Sequence, residues 1–289
     1  MKVLVLGGTG TVGSQVVAEL AARKADVSVL TRNADKAKKL PAGVKAVTGD
    51  LLDVDTVRSA FRGMDGVFLL NPVGPSEGHE GLMAVNGIRL GGVKRVVYLS
   101  VQGADDAAYL PHFGSKVGVE GGLKASGVEW TILRPNNFYQ NDVWFKDAIL
   151  QYGVYPQPLG DKGCSRVDVR DIAEAAAIAL TDGGHAGETY NLVGPEALTG
   201  KRTAEIWASV LDRPIAYAGN DLDAWEKQFL QYMPAWMVFD YKQMYAFFQD
   251  KGFGGTPEDV ARQTKLIGHP PRRFEDYARE TAASWKASP

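Results

Sequence analysis

His112 and Lys116 stand four residues apart in Tyr109-Leu-Pro-His112-Phe-Gly-Ser-Lys116-Val-Gly-Val-Glu120. On a helix that spacing puts both on one face, and Pro111 suits the first turn of such a helix. An imidazole titrates near neutral pH, so His112 could act as a general acid, or it could line a pocket as a hydrogen-bonding group. The second chemistry-bearing stretch opens the chain, as Val3-Leu-Val-Leu-Gly7-Gly-Thr-Gly10-Thr-Val-Gly13. An apolar run, three spaced glycines and then apolar residues at helical spacing (Val12, Val16, Val17, Leu20) predict a strand, a turn and a helix start. That succession cradles a dinucleotide pyrophosphate. Gly7 turns the chain sharply out of the strand, and Gly10 lets a phosphate approach the backbone. Gly13 lets the helix pack closely on the sheet. Thr9, Thr11 and Val12 complete the loop, whose free N–H groups and helix dipole face the anion.

A second strand over 26–32 ends in Thr31-Arg32-Asn33, with Lys36 and Lys38 close behind. In a dinucleotide fold this strand end faces the adenosine ribose, where an acidic residue would accept from the 2′-hydroxyl of NAD. Arg32, seconded by Lys36, would instead hold a 2′-phosphate through paired, charge-assisted hydrogen bonds. NADP(H) is therefore expected in preference to NAD(H), while Lys38 belongs to a solvated helix face.

A third strand and its exit loop are predicted over 44–52, and further strands over 66–70, 94–100 and 127–133, each of the first three followed by a helix. Strands that return parallel through helices build a doubly wound sheet, and ligands bind outside the carboxyl ends of its strands, where Ser100 lies. Asp50 or Asp53 would cap the helix starting near Val54. His79 and Glu80 read as surface polar groups outside any defensible metal-ligand spacing, and no metal is expected.

Composition excludes several classes. The 289 residues carry 32 Lys and Arg against 34 Asp and Glu, which gives no electrostatic case for nucleic acid or an anionic membrane. A single cysteine, Cys164, rules out an internal disulfide. No apolar run reaches a membrane span, and Met1 leads straight into the first strand, so a cytoplasmic protein is expected.

GGTGTVG, TRN, GDLLD, HFGSK and SGVEWTILRPNNFYQN, in this order, resemble the NmrA-like branch of the atypical short-chain dehydrogenase/reductases. The resemblance implies a doubly wound parallel Rossmann sheet with a smaller, mainly helical C-terminal substrate lobe. Residues 1–150, rejoined by 165–195, would form the NAD(P)-binding domain, and 196–289 the lobe. It implies that Asp50 and Leu51 meet the adenine and that the backbone at Asn71 passes a ribose. Lys116 would bind the nicotinamide ribose, and Pro135, Asn137 and Phe138 would flank the nicotinamide ring. Many relatives have Tyr-x-x-x-Lys where this chain has His112 and Lys116, so the usual tyrosine proton donor is replaced by histidine. Tyr109 is the less apt substitute, and Glu120 would pair with Lys116 along the helix.

The aromatic-rich C-terminal third reads mainly as core, with Met233 and Trp236 as pocket candidates for a small aromatic or conjugated substrate. The expected function is an NADPH-dependent oxidoreductase acting on a quinone, an azo compound or an activated carbonyl. The alternative is an NADP(H)-binding redox sensor without turnover. An oligomer is compatible with either.

Overall fold

The protein is described by a computed structural model covering residues 1–287. In chain order its elements begin β1 (Lys2–Leu6), α1 (Thr11–Ala22), β2 (Asp26–Thr31), α2 (Ala34–Ala37), β3 (Lys45–Thr48) and α3 (Val54–Ser59). They continue with β4 (Gly66–Leu69), α4 (Glu77–Gly91), β5 (Arg95–Leu99), α5 (Pro111–Lys124) and β6 (Glu129–Pro135). A 3-10 helix (Tyr139–Phe145) then runs into α6 (Lys146–Leu150), followed by β7 (Val154–Tyr155), α7 (Val169–Thr181) and β8 (Glu188–Leu192). Last come α8 (Gly200–Leu211), β9 (Ala216–Tyr217), α9 (Leu222–Phe229), α10 (Ala235–Lys251), α11 (Pro257–Ile267) and α12 (Phe274–Ala287).

The main sheet has the order β3-β2-β1-β4-β5-β6-β8. The chain winds outward from β1 through β2 to β3, then crosses back to β4 and winds the other way. β1 to β6 pair in parallel, in registers such as Val3↔Val27, Val3↔Gly66 and Val97↔Thr131. This is the doubly wound α/β sheet, and its order reverses between β1 and β4. Alternate residues of the central strands (Leu4, Val67, Leu69, Val96, Ile132) bury against Phe61, Ala84, Ile88, Val119 and Leu123 from the α3, α4 and α5 layer. Strands buried on both faces have to read as continuous apolar runs, as β1 and β4 do.

The chain folds as two compact units. The first is Met1–Pro135 with Val169–Asn191, and the second is Asn136–Asp168 with Leu192 onward. The passage from one to the other lies directly after β6, whereas the sequence pattern keeps residues up to 150 with the first. The physical reason is Arg166, fully buried in the second unit. Its guanidinium donates to the Asn137 Oδ1, to the Phe138 carbonyl and to Asp142, tying 137–142 to the later chain. The second unit is mainly helical, with a two-stranded parallel ribbon of β7 and β9. Trp207, Trp225, Tyr245, Phe248, Phe274 and Tyr277 fill its core, while Tyr232, Trp236 and Phe239 are exposed. No helix is long and apolar enough to cross a membrane among the described residues.

Candidate functional site

The carboxyl ends of β1 to β5 bring the glycine loop, Arg32, Asp50, Asn71 and Ser100 to one edge of the sheet. Gly7 has φ +70°, the left-handed conformation that favours glycine. The Gly10 amide donates to the Gly7 carbonyl at 2.9 Å and closes the turn. Gly10 is exposed and caps α1 with no side chain in the way. A Cβ on Gly13 would lie 2.1 Å from the Gly7 carbonyl oxygen, so only glycine allows α1 to start this close to β1. Thr9 and Thr11 reach the surface of the loop, and Val12 is buried beneath it. The first turn of α1 carries no acidic residue to compete for an anion.

Arg32 follows β2 and is largely exposed, with Nη1 4.0 Å from the Asp50 carboxylate across the strand ends. An exposed pair at that distance is worth little, so the guanidinium keeps its capacity for another anion. Asp50 is not the helix cap; that is Asp53, which accepts from the Asp55 and Thr56 amides. Thr56 hydrogen bonds hold the exposed Asp53 carboxyl below the usual range. Asp50 Oδ1 accepts from the Leu52 amide, and Leu51 is buried. Lys36 lines a hollow of about 390 Å³ with Gly8, Thr9, Ser14, Val17, Lys39, Leu40 and Pro41. Sequence reasoning missed Lys39, although it lies one turn beyond Lys36. Lys38, by contrast, pairs with Asp35 at 2.9 Å on the exposed side.

Asn71 closes β4. Its side chain is buried, and neither its Nδ2 nor its Oδ1 meets a hydrogen-bond partner among the described residues. A buried carboxamide with both ends unmatched costs free energy that a polar ligand would recover. With the glycine cradle and the cationic hollow, this donor set fits a dinucleotide: phosphate donors at the loop, cations at β2 and an unspent amide at β4.

Lys116 and His112 sit one turn apart on α5, and both are buried. Pro111 occupies the first turn as expected, and the His112 ring meets Phe113 edge-on at 4.7 Å. Tyr109 is 71% exposed and outside this buried group. Lys116 Nζ donates to Glu77 Oε1 at 2.7 Å. Its partner is thus Glu77, from the first turn of α4, and not Glu120. Glu120 instead accepts from Arg134 (Nε at 2.8 Å, Nη2 at 2.7 Å), Lys124 and the Ser100 hydroxyl (2.6 Å). Burial pushes the Glu120 carboxyl up, but the hydrogen bonds from Arg134 and Ser100 outweigh it and hold it below the usual range. The proton of the Ser100 hydroxyl is therefore committed to Glu120. Glu80 is also a correction: it is buried and accepts from the Ser76 hydroxyl at 2.6 Å.

Pro135 is buried at the end of β6. Asn137 and Phe138 lie just past it in the second unit, where the Asn137 carboxamide oxygen and the Phe138 carbonyl are both taken by Arg166. In the same unit Met233 is half-buried and Trp236 exposed. Burial pushes the Cys164 thiol up to about 12, so it offers no nucleophile.

A family model described as the NmrA-like family matches residues 1–278. The NAD(P)H azoreductase of Xenophilus azovorans is 32% identical, over 99% of this chain and 100% of its own length. A reductase of (4-alkanoyl-5-oxo-2,5-dihydrofuran-3-yl)methyl phosphate from Streptomyces griseus is 29% identical, over 98% and 99%. The solved NADPH complex of an Escherichia coli NADPH-dependent quinone oxidoreductase superposes with a TM-score of 0.85 at 23% identity, covering 96% of this chain and 99% of that one. At that identity the likeness shows the fold.

Proposed function

The chain belongs to the NmrA-like family, and from that premise we propose that it is an NADPH-preferring reductase of small conjugated acceptors: quinones, azo compounds or activated carbonyls. That it is an NAD(P)H-dependent reductase follows from its relatives. The preference for NADPH and the acceptor class are our reading. The observation that carries it is the β1 glycine cradle with Arg32 and Lys36 beside it, where NAD would call for an acid.

NADPH, when bound, supplies the hydride. The chain's own residues do the rest. Backbone amides of Gly10 to Gly13 and the α1 dipole hold the pyrophosphate, and Arg32 and Lys36 hold the 2′-phosphate. Asp50 and Leu51 border the adenine, and Asn71 and Lys116 donate to ribose hydroxyls. Pro135 borders the nicotinamide, and Ser100 lines the strand-end floor. His112 stands where relatives in the wider superfamily carry a tyrosine proton donor, and it supplies the proton to acceptors that need one. Quinone oxygens can take theirs from water.

With a carbonyl acceptor, His112→Gln is expected to lower kcat about 100-fold or more, the usual contribution of a positioned general acid, while quinone turnover barely changes. Equal kcat in the two proteins with the carbonyl acceptor would remove His112 as the acid. The same departure from tyrosine also favours the second reading, a sensor that binds NADP(H) without turnover.

A further inference from the structure

Glu77 carries no motif in the sequence, and its carboxylate is 1% exposed. It opens α4, where the helix dipole favours a negative charge, and it meets Lys116 from the middle of α5, 39 residues on. The meeting is enforced by how closely the two helices pack. A Cβ on Gly81 would lie 2.4 Å from Val119 Cγ2, and one on Gly122 would lie 2.6 Å from Leu82 Cδ2. Gly78 lies against Ser115, its Cβ position 3.5 Å away. Bare backbone at Gly81, and to a lesser degree at Gly122, lets α4 and α5 approach more nearly than larger side chains would permit, and Glu77 comes beside Lys116 across that contact.

An ammonium has three protons and Glu77 takes one of them, so two remain for other acceptors. A free lysine chain would give up rotamer entropy on binding, whereas one already held gives up less. The Tyr98 hydroxyl, which feels the Glu77 carboxylate, is buried and meets no partner among the described residues. Burial, with the Glu77 and Glu120 carboxylates next, raises its pKa well above the usual value. Tyr98 therefore stays protonated and does not compete as an anion for the ammonium.

We propose that Glu77 is the positioning residue of the cofactor site, holding Lys116 so that its free protons meet the nicotinamide-ribose hydroxyls. This rests on the reading of the protein as a nicotinamide-dependent reductase.

The test is a set of dissociation constants for NADPH and for 2′,5′-ADP, a probe that reaches only the adenosine end. Glu77→Gln is expected to raise the NADPH constant about tenfold, the loss of one charge-assisted contact, and to leave 2′,5′-ADP unchanged. Added to Lys116→Met, it should change the NADPH constant by less than about twofold, because residues acting as one unit are not additive. Glu77→Asp, which keeps the charge but draws it back, should fall between wild type and Glu77→Gln, and it carries the same readout if Glu77→Gln does not fold. An unchanged NADPH constant, equal weakening of both probes, or multiplicative effects of Glu77→Gln and Lys116→Met would overturn the positioning role. If the wild-type protein bound neither probe, the reductase reading itself would fail, and the inference with it.

Discussion

Replacing Asp142 with alanine is expected to destabilise the second unit by about 3–5 kcal/mol, the usual cost of stripping one partner from a buried ion pair. Asp142 and Arg166 are both fully buried, with Oδ1 2.6 Å from Nη2. The carboxylate also accepts from Gln157 Nε2 at 2.7 Å, Trp207 Nε1 at 2.8 Å and the Tyr155 hydroxyl at 3.2 Å. Burial alone would favour a neutral guanidinium, but the Asp142 charge outweighs it and lifts the pKa above the ordinary arginine value. Without Asp142 that cation would stay fully buried with neutral acceptors such as the Asn137 Oδ1 and the Phe138 carbonyl but without its carboxylate partner. The double variant Asp142→Ala with Arg166→Met should recover part of the loss, since an apolar replacement for the pair removes the stranded charge. Urea denaturation of the two variants reads both effects. A single variant within about 0.5 kcal/mol of wild type, the range of an ordinary surface change, would contradict the assignment.

Arg32→Ala is expected to raise the NADPH dissociation constant about 10- to 100-fold, as loss of charge-assisted phosphate contacts does. NADH binding should barely move, because it has no 2′-phosphate. The Asp50 carboxylate, 4.0 Å from the guanidinium in the wild-type protein, would then be the charge left at these strand ends. An acid at that edge suits a 2′-hydroxyl and repels a 2′-phosphate, so the preference should swing toward NADH. The exposed site also predicts that the wild-type advantage of NADPH shrinks as salt rises. Equal NADPH constants for wild type and variant would show that the 2′-phosphate is held elsewhere.

The β1–loop–α1 unit is legible in the sequence because backbone geometry dictates residue type there. Gly7 needs a positive φ and Gly13 has no room for a Cβ, so the glycine spacing carries the shape. Strands and helices follow from periodicity, and Pro111 marks the start of α5. Partners far apart in the chain leave no such trace. Helical spacing offers Glu120 to Lys116, yet the buried face of α5 meets α4 and β6, which supply Glu77 and Arg134. Arg166 is illegible for the same reason, since an arginine in a loop reads as solvated until the fold encloses it with Asp142. The unit boundary falls at Asn136 because those long-range bonds, and not local pattern, hold 137–142.

The decisive measurement is consumption of NADPH, followed by loss of its nicotinamide absorbance, with a panel of quinones, azo dyes and aldehydes. Steady oxidation that requires an acceptor, is faster with NADPH than with NADH and is lost in Lys116→Met is the predicted result. Tight NADPH binding with no consumption across the panel would contradict the reductase and leave the sensor.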